Sequence, residues 1–243
     1  MVSDTNNCRT CNNVVTGKFC SNCGQAVQVK RVDFHYVSHE VQHLLHFERG
    51  FLYTIKELLI RPGTSVKDFI EFNRSRLVKP IIFLIIASLI YSTAEHFFNV
   101  EEGYVNYSSD KVSAATAIFA WVQSHYGYAN IIMGVFIAMW IKIFFKSYAF
   151  NFFELLILLC FTMGMAMLIL AVFAVADGVF KVKLMEFAGY AGVIYCTWAI
   201  GNFFDRKKVM SYVKALIAYL FGMMTFTLLA LLAGALVDIF YKH

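Results

Sequence analysis

Four cysteines near the beginning of the chain are spaced as two Cys-x-x-Cys pairs. They are Cys8, Cys11, Cys20 and Cys23. Thiolates bind soft metal ions strongly, and two such pairs supply the four sulfur ligands of a tetrahedral zinc site. The glycine after the last of these cysteines permits the close backbone approach that such turns use. The sequence therefore predicts a small metal-binding knuckle over residues 1–28, with Zn²⁺ as its cofactor.

The ligand set of this knuckle favours a structural metal ion over a catalytic one. Four thiolates complete a tetrahedral shell, whereas a catalytic zinc keeps one position open for water. Redox chemistry and an iron–sulfur centre are the alternatives. Because so short a segment has almost no hydrophobic core, we expect metal binding to supply its folding energy. Only Arg9 and Lys18 are basic in this stretch, so no nucleic-acid partner is expected.

A second arrangement of possible metal ligands follows in the chain. His39 and His43, with Glu40 between them, form the HExxH pattern of zinc proteases. Histidines four residues apart on a helix can bind one ion, while the glutamate activates a bound water molecule. A third ligand would come from His46, Glu48 or Glu154. None of these has the spacing of a known protease class, so a catalytic metal, a non-catalytic metal or pH-responsive role, and a plain structural role all stay open.

The composition of the chain is that of an integral membrane protein. Hydrophobic residues make up 59% and aromatic residues 17% of it, with a mean hydropathy of +0.62. Runs of about 20 apolar residues can cross a bilayer as helices. Within residues 80–243, five spans are predicted, at about 80–98, 128–146, 153–176, 185–204 and 211–240. We therefore expect an all-α integral membrane protein with about five transmembrane helices.

Residues 29–79 are predicted to form a collar of amphipathic helices at the cytoplasmic membrane face. Apolar residues recur at helical spacing up to Gly50, which ends the first helix. A second helix covers about 51–60, and Ser65 is expected to cap a third. Three basic residues before the first span can contact anionic headgroups. They are Arg74, Arg76 and Lys79.

The distribution of basic residues predicts the orientation in the membrane. With a cytoplasmic N-terminus, 17 of the 21 Lys and Arg side chains lie in residues 1–79 and the turns 142–152 and 205–214, all on the cytoplasmic side. Five spans then place the C-terminus on the opposite side. Ionisable residues within the spans lie near the predicted interfaces, which argues against an ion pathway.

The region before and within the first span resembles a known family. Over about residues 8–98, the order CxxC, FCxxCGQ, HFERGFLYTIKELLIRPG and KDFIEFNRSRLVKP is similar to the bacterial family catalogued as domain of unknown function 3667. The more specific positions are Arg49, Gly50, Phe51, Thr54, Leu58, Leu59, Arg61, Pro62 and Gly63. The resemblance implies a zinc-ribbon, multi-pass protein of the bacterial inner membrane, and it brings no activity with it.

These features favour a non-enzymatic membrane adaptor or scaffold. In this hypothesis the knuckle engages a cytosolic or membrane protein partner, and the helices hold it at the lipid bilayer, as one chain or as a homo-oligomer. One alternative is an interfacial zinc metalloprotease that uses the HExxH motif at 39–43. A second alternative is a small transporter or channel. No phosphate loop or Gly-x-Ser-x-Gly elbow suggests another enzyme class.

Metal content separates the adaptor hypothesis from the protease hypothesis. In the detergent-purified chain we expect one zinc ion, because only the cysteines form a complete ligand set. Elemental analysis should show that Cys8→Ser/Cys11→Ser loses this ion and that His39→Ala/His43→Ala retains it. A second zinc ion that disappears with the histidines would favour the protease, and Glu40→Gln would then be assayed against the wild type.

Overall fold

The computed structural model describes residues 8, 11, 13–14, 17–24, 50–72, 74, 76–98, 118, 121–122, 125–182 and 184–241. The chain divides into two compact units, Met1–Phe47 and Glu48–His243. The first unit contains the two cysteine pairs, and the second contains the long helices.

The second unit is helical, and no β-strand occurs among its described residues. Helix α1 covers residues 50–60, and α2, Pro62–Glu71, begins two residues later. The longer helices are α3, Pro80–Phe98; α4, Tyr126–Phe144; α5, Phe152–Phe180; α6, Met185–Asp205; and α7, Val209–Tyr241. The predicted all-α class is confirmed for the described part of the chain.

Four described helices are long and apolar enough to cross a membrane. They are Pro80–Phe98, Tyr126–Phe144, Phe152–Phe180 and Val209–Ile239. The stretch predicted as a span at 185–204 is helical as α6, but it is not among these four. Gly189, Asn202 and Asp205 interrupt its apolar sequence. By length and composition, four of the five predicted spans are therefore supported among the described residues, and the fifth stays a prediction.

Helix α5 lies at the centre of the helical unit. It is apolar around its whole circumference, and 67% of its most apolar stretch is buried, compared with 28%, 33% and 11% for α3, α4 and α7. It contacts α2, α3, α4 and α6. A helix without a polar face must be covered on every side by protein or lipid. The neighbouring helices α2, α3, α4 and α6 supply the protein part of this cover.

Helices α3 and α5 run in the same direction with a constant register. Residues 80 positions apart meet or share one buried cluster along the contact. These pairs are Leu84 with Gly164, Tyr91 with Ala171, and Phe98 with Gly178. A Cβ at Gly164 would lie 2.8 Å from the Phe83 ring. Glycine at this position therefore lets the two helices approach closely.

Helix α6 runs back along α5 in the opposite direction. The paired positions are Ala188 with Ala174, Gly192 with Ala166, and Cys196 with Thr162. At the last of these, the thiol donates to a backbone carbonyl over 3.6 Å. Helix α7 packs on α4, where a Cβ at Gly222 would lie 2.5 Å from the Cα of Ile137. Small residues thus mark the close helix crossings of this unit.

The two short helices α1 and α2 pack against the long helices. The Leu58 side chain of α1 is fully buried, and its carbonyl accepts a hydrogen bond of 3.0 Å from the Tyr195 hydroxyl. The Phe69 ring of α2 meets the Phe161 ring edge-on, with centroids 5.3 Å apart. Residues 29–49 of the predicted collar lie outside the described residues, so the collar as a whole stays a prediction.

The hydroxyl of Thr54 joins α1 to the segment that precedes α3. It donates to the Gly50 carbonyl over 2.8 Å and accepts from the Val78 N–H over 3.0 Å. Thr54 is fully buried, so water does not compete for these two hydrogen bonds. This side chain therefore fixes the end of the connection that precedes α3 to the first turns of α1.

Helix α2 begins four residues earlier than the sequence predicts. Pro62 occupies its first position, where the fixed φ and the missing N–H of proline suit a helix start. Ser65, the predicted cap, lies inside the helix and donates its hydroxyl to the Glu57 carboxylate over 3.1 Å. The predicted apolar face of Val66, Phe69 and Ile70 is buried.

A methyl group at Gly63 should destabilise the helical unit. A Cβ there would lie 2.4 Å from backbone atoms of Asn202 and Phe203 in α6. Because the backbone cannot rotate aside, we expect Gly63→Ala to lower the free energy of unfolding by about 1–3 kcal/mol. Thermal unfolding in detergent measures this loss. The control is Gly192→Ala, whose new Cβ would be 3.7 Å from its nearest neighbour; equal losses in both variants would contradict the close α2–α6 contact.

Candidate functional site

The four predicted metal ligands converge in the first unit. Their Sγ atoms all lie within 4.8 Å of one another. The sulfurs of Cys8 and Cys23 are 3.5 Å apart, and those of Cys11 and Cys20 are also 3.5 Å apart. Four sulfurs at about 2.3 Å from one tetrahedral ion would be separated by about 3.8 Å. The donor set therefore fits a tetrahedral metal ion. Both close sulfur–sulfur contacts join one cysteine of the first Cys-x-x-Cys pair to one cysteine of the second.

Backbone hydrogen bonds hold the two cysteine pairs in place. The Cys8 N–H donates to the Asn13 carbonyl over 2.7 Å, and the Gly24 N–H donates to the Cys20 carbonyl over 2.8 Å. Gly24 has a φ of +72°, a left-handed conformation that glycine adopts without steric penalty. This is the glycine for which the sequence predicted such a turn. Cys8 and Cys20 are buried, whereas Cys23 is exposed.

The surroundings of Cys11 favour its thiolate form. A hydrogen bond from the backbone of Asn13 is the largest effect that lowers the pKa of the Cys11 thiol. Burial opposes this shift, and hydrogen bonds from Asn22, Cys20 and Cys23 add to it. The thiolate is the form that binds a metal ion. The four cysteines can therefore hold an ion, and a four-sulfur shell leaves no position for a substrate.

The predicted histidine site lies outside the described residues. It comprises His39, Glu40, His43 and His46, and a metal ion at these residues stays a prediction. Glu154, considered as a further ligand, caps α5 instead. Its N–H donates to Asn151 Oδ1 over 2.9 Å, and its carboxylate accepts from the Asn151 N–H over 2.7 Å. This carboxylate therefore has a structural role in the second unit.

A network of charged side chains joins α1, α2 and the segment before α3. The Glu57 carboxylate lies 2.8 Å from the Arg61 guanidinium and 3.5 Å from that of Arg76. Arg76 also lies 3.9 Å from the Asp68 carboxylate. Burial alone would raise the pKa of Glu57, but hydrogen bonds from Arg61 and Ser65 and the two positive charges hold that pKa below its usual value. Arg76, predicted as a membrane anchor, thus has acidic partners within the chain.

The other two predicted interface cations have no such partners. Arg74 and Lys79 are exposed and form no ion pair among the described residues. Arg74 lines a groove between α3, α4 and α5. Lys79 directly precedes α3. Sequence reasoning missed Glu57, although its spacing of four residues from Arg61 was a readable signal for a helical ion pair.

The segment that contains the charged network also carries the family resemblance. Residues 48–92 match the family model described as Protein of unknown function (DUF3667). This DUF3667 segment contains α1, α2 and more than half of α3, and the predicted resemblance is confirmed over it. The cysteine pairs lie outside the match. No curated protein and no solved structure matches the chain.

Replacing Glu57 should reveal the charge pairing inside the DUF3667 segment. Because the pKa of Glu57 is lowered in the folded chain, its stabilising contribution is present above the ordinary pKa of Glu and is lost as the pH falls through the lowered value. At pH 7 we expect Glu57→Gln to lower the free energy of unfolding by about 1 kcal/mol. The difference from the wild type should vanish well below about pH 4.

Unfolding in detergent at neutral and acidic pH measures this dependence. The control is Glu71→Gln, which changes an exposed carboxylate at the end of α2 and should alter stability at neither pH. If Glu57→Gln lowers the free energy of unfolding equally in acid, the effect comes from lost packing rather than from lost charge pairing.

Proposed function

We propose that this chain is a non-enzymatic membrane adaptor or scaffold. A structural zinc ion held by Cys8, Cys11, Cys20 and Cys23 shapes the knuckle, the knuckle binds a cytosolic protein partner, and the helical unit anchors the chain in the bacterial inner membrane. The observation that carries the proposal is the convergence of the four Sγ atoms within 4.8 Å. Zinc is the ion proposed because four thiolates in a tetrahedral arrangement are its preferred structural ligands.

The exposed surface of the knuckle supports a protein partner. Val14 is 60% exposed and Phe19 is 66% exposed. Large apolar side chains are often the residues that anchor a protein–protein interface. In the sequence, residues 1–28 contain two basic residues, Arg9 and Lys18, which offer little attraction for nucleic acid. The proposed partner therefore contacts the knuckle through Val14 and Phe19.

The packing of α6 supports a fifth span. From Ala188 to Cys196, α6 follows α5 in the opposite direction, and its last turn continues to the Phe150 ring, whose centroid is 4.5 Å from that of Phe203. A helix that follows a membrane-spanning partner from end to end reaches both sides of the membrane. Asn202 and Asp205 lie in its last turn, where water and headgroups can solvate them.

The positions of the cations support a cytoplasmic N-terminus. Basic residues follow α4 and α6 at one end of the helical unit, namely Lys146, Arg206, Lys207 and Lys208. The rings of Phe145 and Phe204 stack 3.8 Å apart and join these two turns. Lys67 of α2 lies 5.5 Å from the Phe203 ring centroid, so α2 belongs to the same end. The positive-inside rule places this end in the cytoplasm, and five spans place the C-terminus on the opposite side.

Photo-crosslinking from the knuckle of the full chain in cells tests the adaptor proposal. With a photoreactive amino acid at Lys18, we expect one dominant crosslinked protein. It should disappear in Phe19→Ser, which removes an apolar contact, and in Cys8→Ser/Cys11→Ser, which prevents metal-dependent folding. The same photoreactive group at Lys208, exposed on the helical unit, is the matched control and should not capture that protein.

The membrane fraction of each variant provides the second readout. Both variants should remain in the membrane, because the helical unit is unchanged. Crosslinks from Lys18 that are the same in the wild type, Phe19→Ser and the cysteine variant would reject a metal-shaped docking knuckle. The metalloprotease and transporter alternatives stay predictions.

A further inference from the structure

A groove between α3, α4 and α5 has no role in the proposed adaptor function. Its volume is about 440 Å³, within the usual range of about 300–1,000 Å³ for ligand sites. Its apolar walls include Leu84, Val135 and Ile157. At its edge, Ile81 is 56% and Phe153 is 74% exposed. The groove therefore opens sideways from three helices that are apolar enough to cross a membrane, toward the place where lipid would lie.

A free positive charge lies on the wall of this groove. Arg74 lines it, is exposed, and has no hydrogen bond or ion pair among the described residues. Arg76, two residues later, is paired with carboxylates and does not line the groove. Pro80 and Ile81, at the beginning of α3, line the same groove. The first N–H groups of a helix have no intrahelical acceptor, and the positive end of its dipole lies there.

A buried polar side chain on the same groove lacks a partner. Asn130 of α4 lines the groove and is only 4% exposed. Its Nδ2 has no hydrogen-bond acceptor among the described residues. Buried amides in folded proteins are nearly always hydrogen-bonded. Asn130 also lines a neighbouring cavity, and a ligand oxygen in the groove within reach of Nδ2 would supply the missing acceptor.

We propose that this groove binds one anionic glycerophospholipid from the bilayer. Its phosphate contacts Arg74 and the first turn of α3, an ester oxygen accepts from Asn130, and an acyl chain covers Leu84 and Ile131, which lie deeper along the helices. Guanidinium groups and helix N-termini are both strong ligands for phosphate oxygens. Basic pockets between transmembrane helices are known sites for acidic lipids. The proposal requires that α3, α4 and α5 lie in the membrane, and it is independent of the knuckle and its partner.

Native mass spectrometry of the full, delipidated chain in detergent tests the lipid site. We expect one phosphatidylglycerol to bind about tenfold more tightly than phosphatidylcholine with the same acyl chains. Both lipids can fill the groove, but only the former has a net negative charge for Arg74. Inorganic phosphate carries the headgroup chemistry without the chains, and it should not displace the lipid at equal concentration.

Two pairs of variants locate the site within the helical unit. Arg74→Gln should remove the tenfold preference, whereas Lys146→Gln, which changes an exposed cation that does not line the groove, should leave it intact. Ile157→Trp should weaken both lipids at least tenfold by filling the groove. Ile143→Trp is the matched control, because Ile143 is 58% exposed on α4 outside the groove.

A thermal measurement tests the role of Asn130 separately. In lipid-free detergent, Asn130→Leu should unfold at the wild-type temperature or above it, because a buried amide without an acceptor is removed. Phosphatidylglycerol should then raise the Tm of the wild type more than that of the variant.

Three results would overturn the proposal. These are equal affinity for the two lipids, equal effects of Arg74→Gln and Lys146→Gln, and displacement of the lipid by inorganic phosphate alone. An unchanged Tm for Arg74→Gln in lipid-free detergent would show that this variant is folded, so that a lost preference reports on the site itself.

Discussion

Helix α5 has no polar face, and its neighbours in the helical unit bury about two thirds, 67%, of its most apolar stretch. Lipid alone exerts little force that draws one apolar helix toward another, so close packing must hold them together. Gly164 of α5 lets α3 approach closely, because a Cβ there would lie 2.8 Å from the Phe83 ring, whereas a Cβ at Gly134 of α4 or Gly192 of α6 would make ordinary contacts of 3.6 and 3.7 Å with α5. Local interactions also define where α5 begins and ends. The Asn151–Glu154 capping box begins it, and Lys181, with a φ of +53°, ends it in a left-handed conformation.

The DUF3667 segment contributes helices that pack against α5. It contains the first thirteen residues of α3, which packs along α5, together with the short helices α1 and α2. Both short helices combine buried apolar residues with ion pairs. Leu58 of α1 and Phe69 of α2 are buried, whereas Glu57 of α1 pairs with Arg61 and Asp68 of α2 lies 3.9 Å from Arg76. Burial of the apolar residues and pairing of the charged residues act together, so neither helix depends on intrinsic helix propensity alone.

Local patterns in the sequence predicted the helices well, because they depend on neighbouring residues. The first predicted span coincides with Pro80–Phe98, and the other apolar stretches end within about four residues of the observed helices. The convergence of the four cysteines also followed from their spacing. The sequence predicted a start of α2 just after Ser65 because serine is a common helix cap. The helix begins at Pro62 instead, because the fixed φ and the missing N–H of proline suit a first helical position.

Contacts between distant residues could not be predicted from one sequence. Nothing in the order of residues shows that Gly63 meets the backbone of α6, or that Arg76 pairs with Glu57. The composition of α6 is equally uninformative about its position. Its glycines and polar residues lower its hydropathy, yet Gly192 and Gly201 lie where neighbouring helices approach, and Asn202 and Asp205 lie in its last turn. Burial against protein, rather than against lipid, explains why a helix in such a place need not be uniformly apolar.

The constant register of α3 against α5 has a consequence for the synthesis of this protein. Because the paired residues are 80 positions apart, the ribosome completes α3 long before its partner exists. During that interval α4 must be made and must turn back, since α3 and α5 run in the same direction. The buried face of α3, with Phe83 and Tyr91, has to remain covered by lipid or by other proteins until then. This high contact order makes the α3–α5 pairing a late step of assembly, in contrast to a hairpin of consecutive helices, which can close as soon as its second helix emerges.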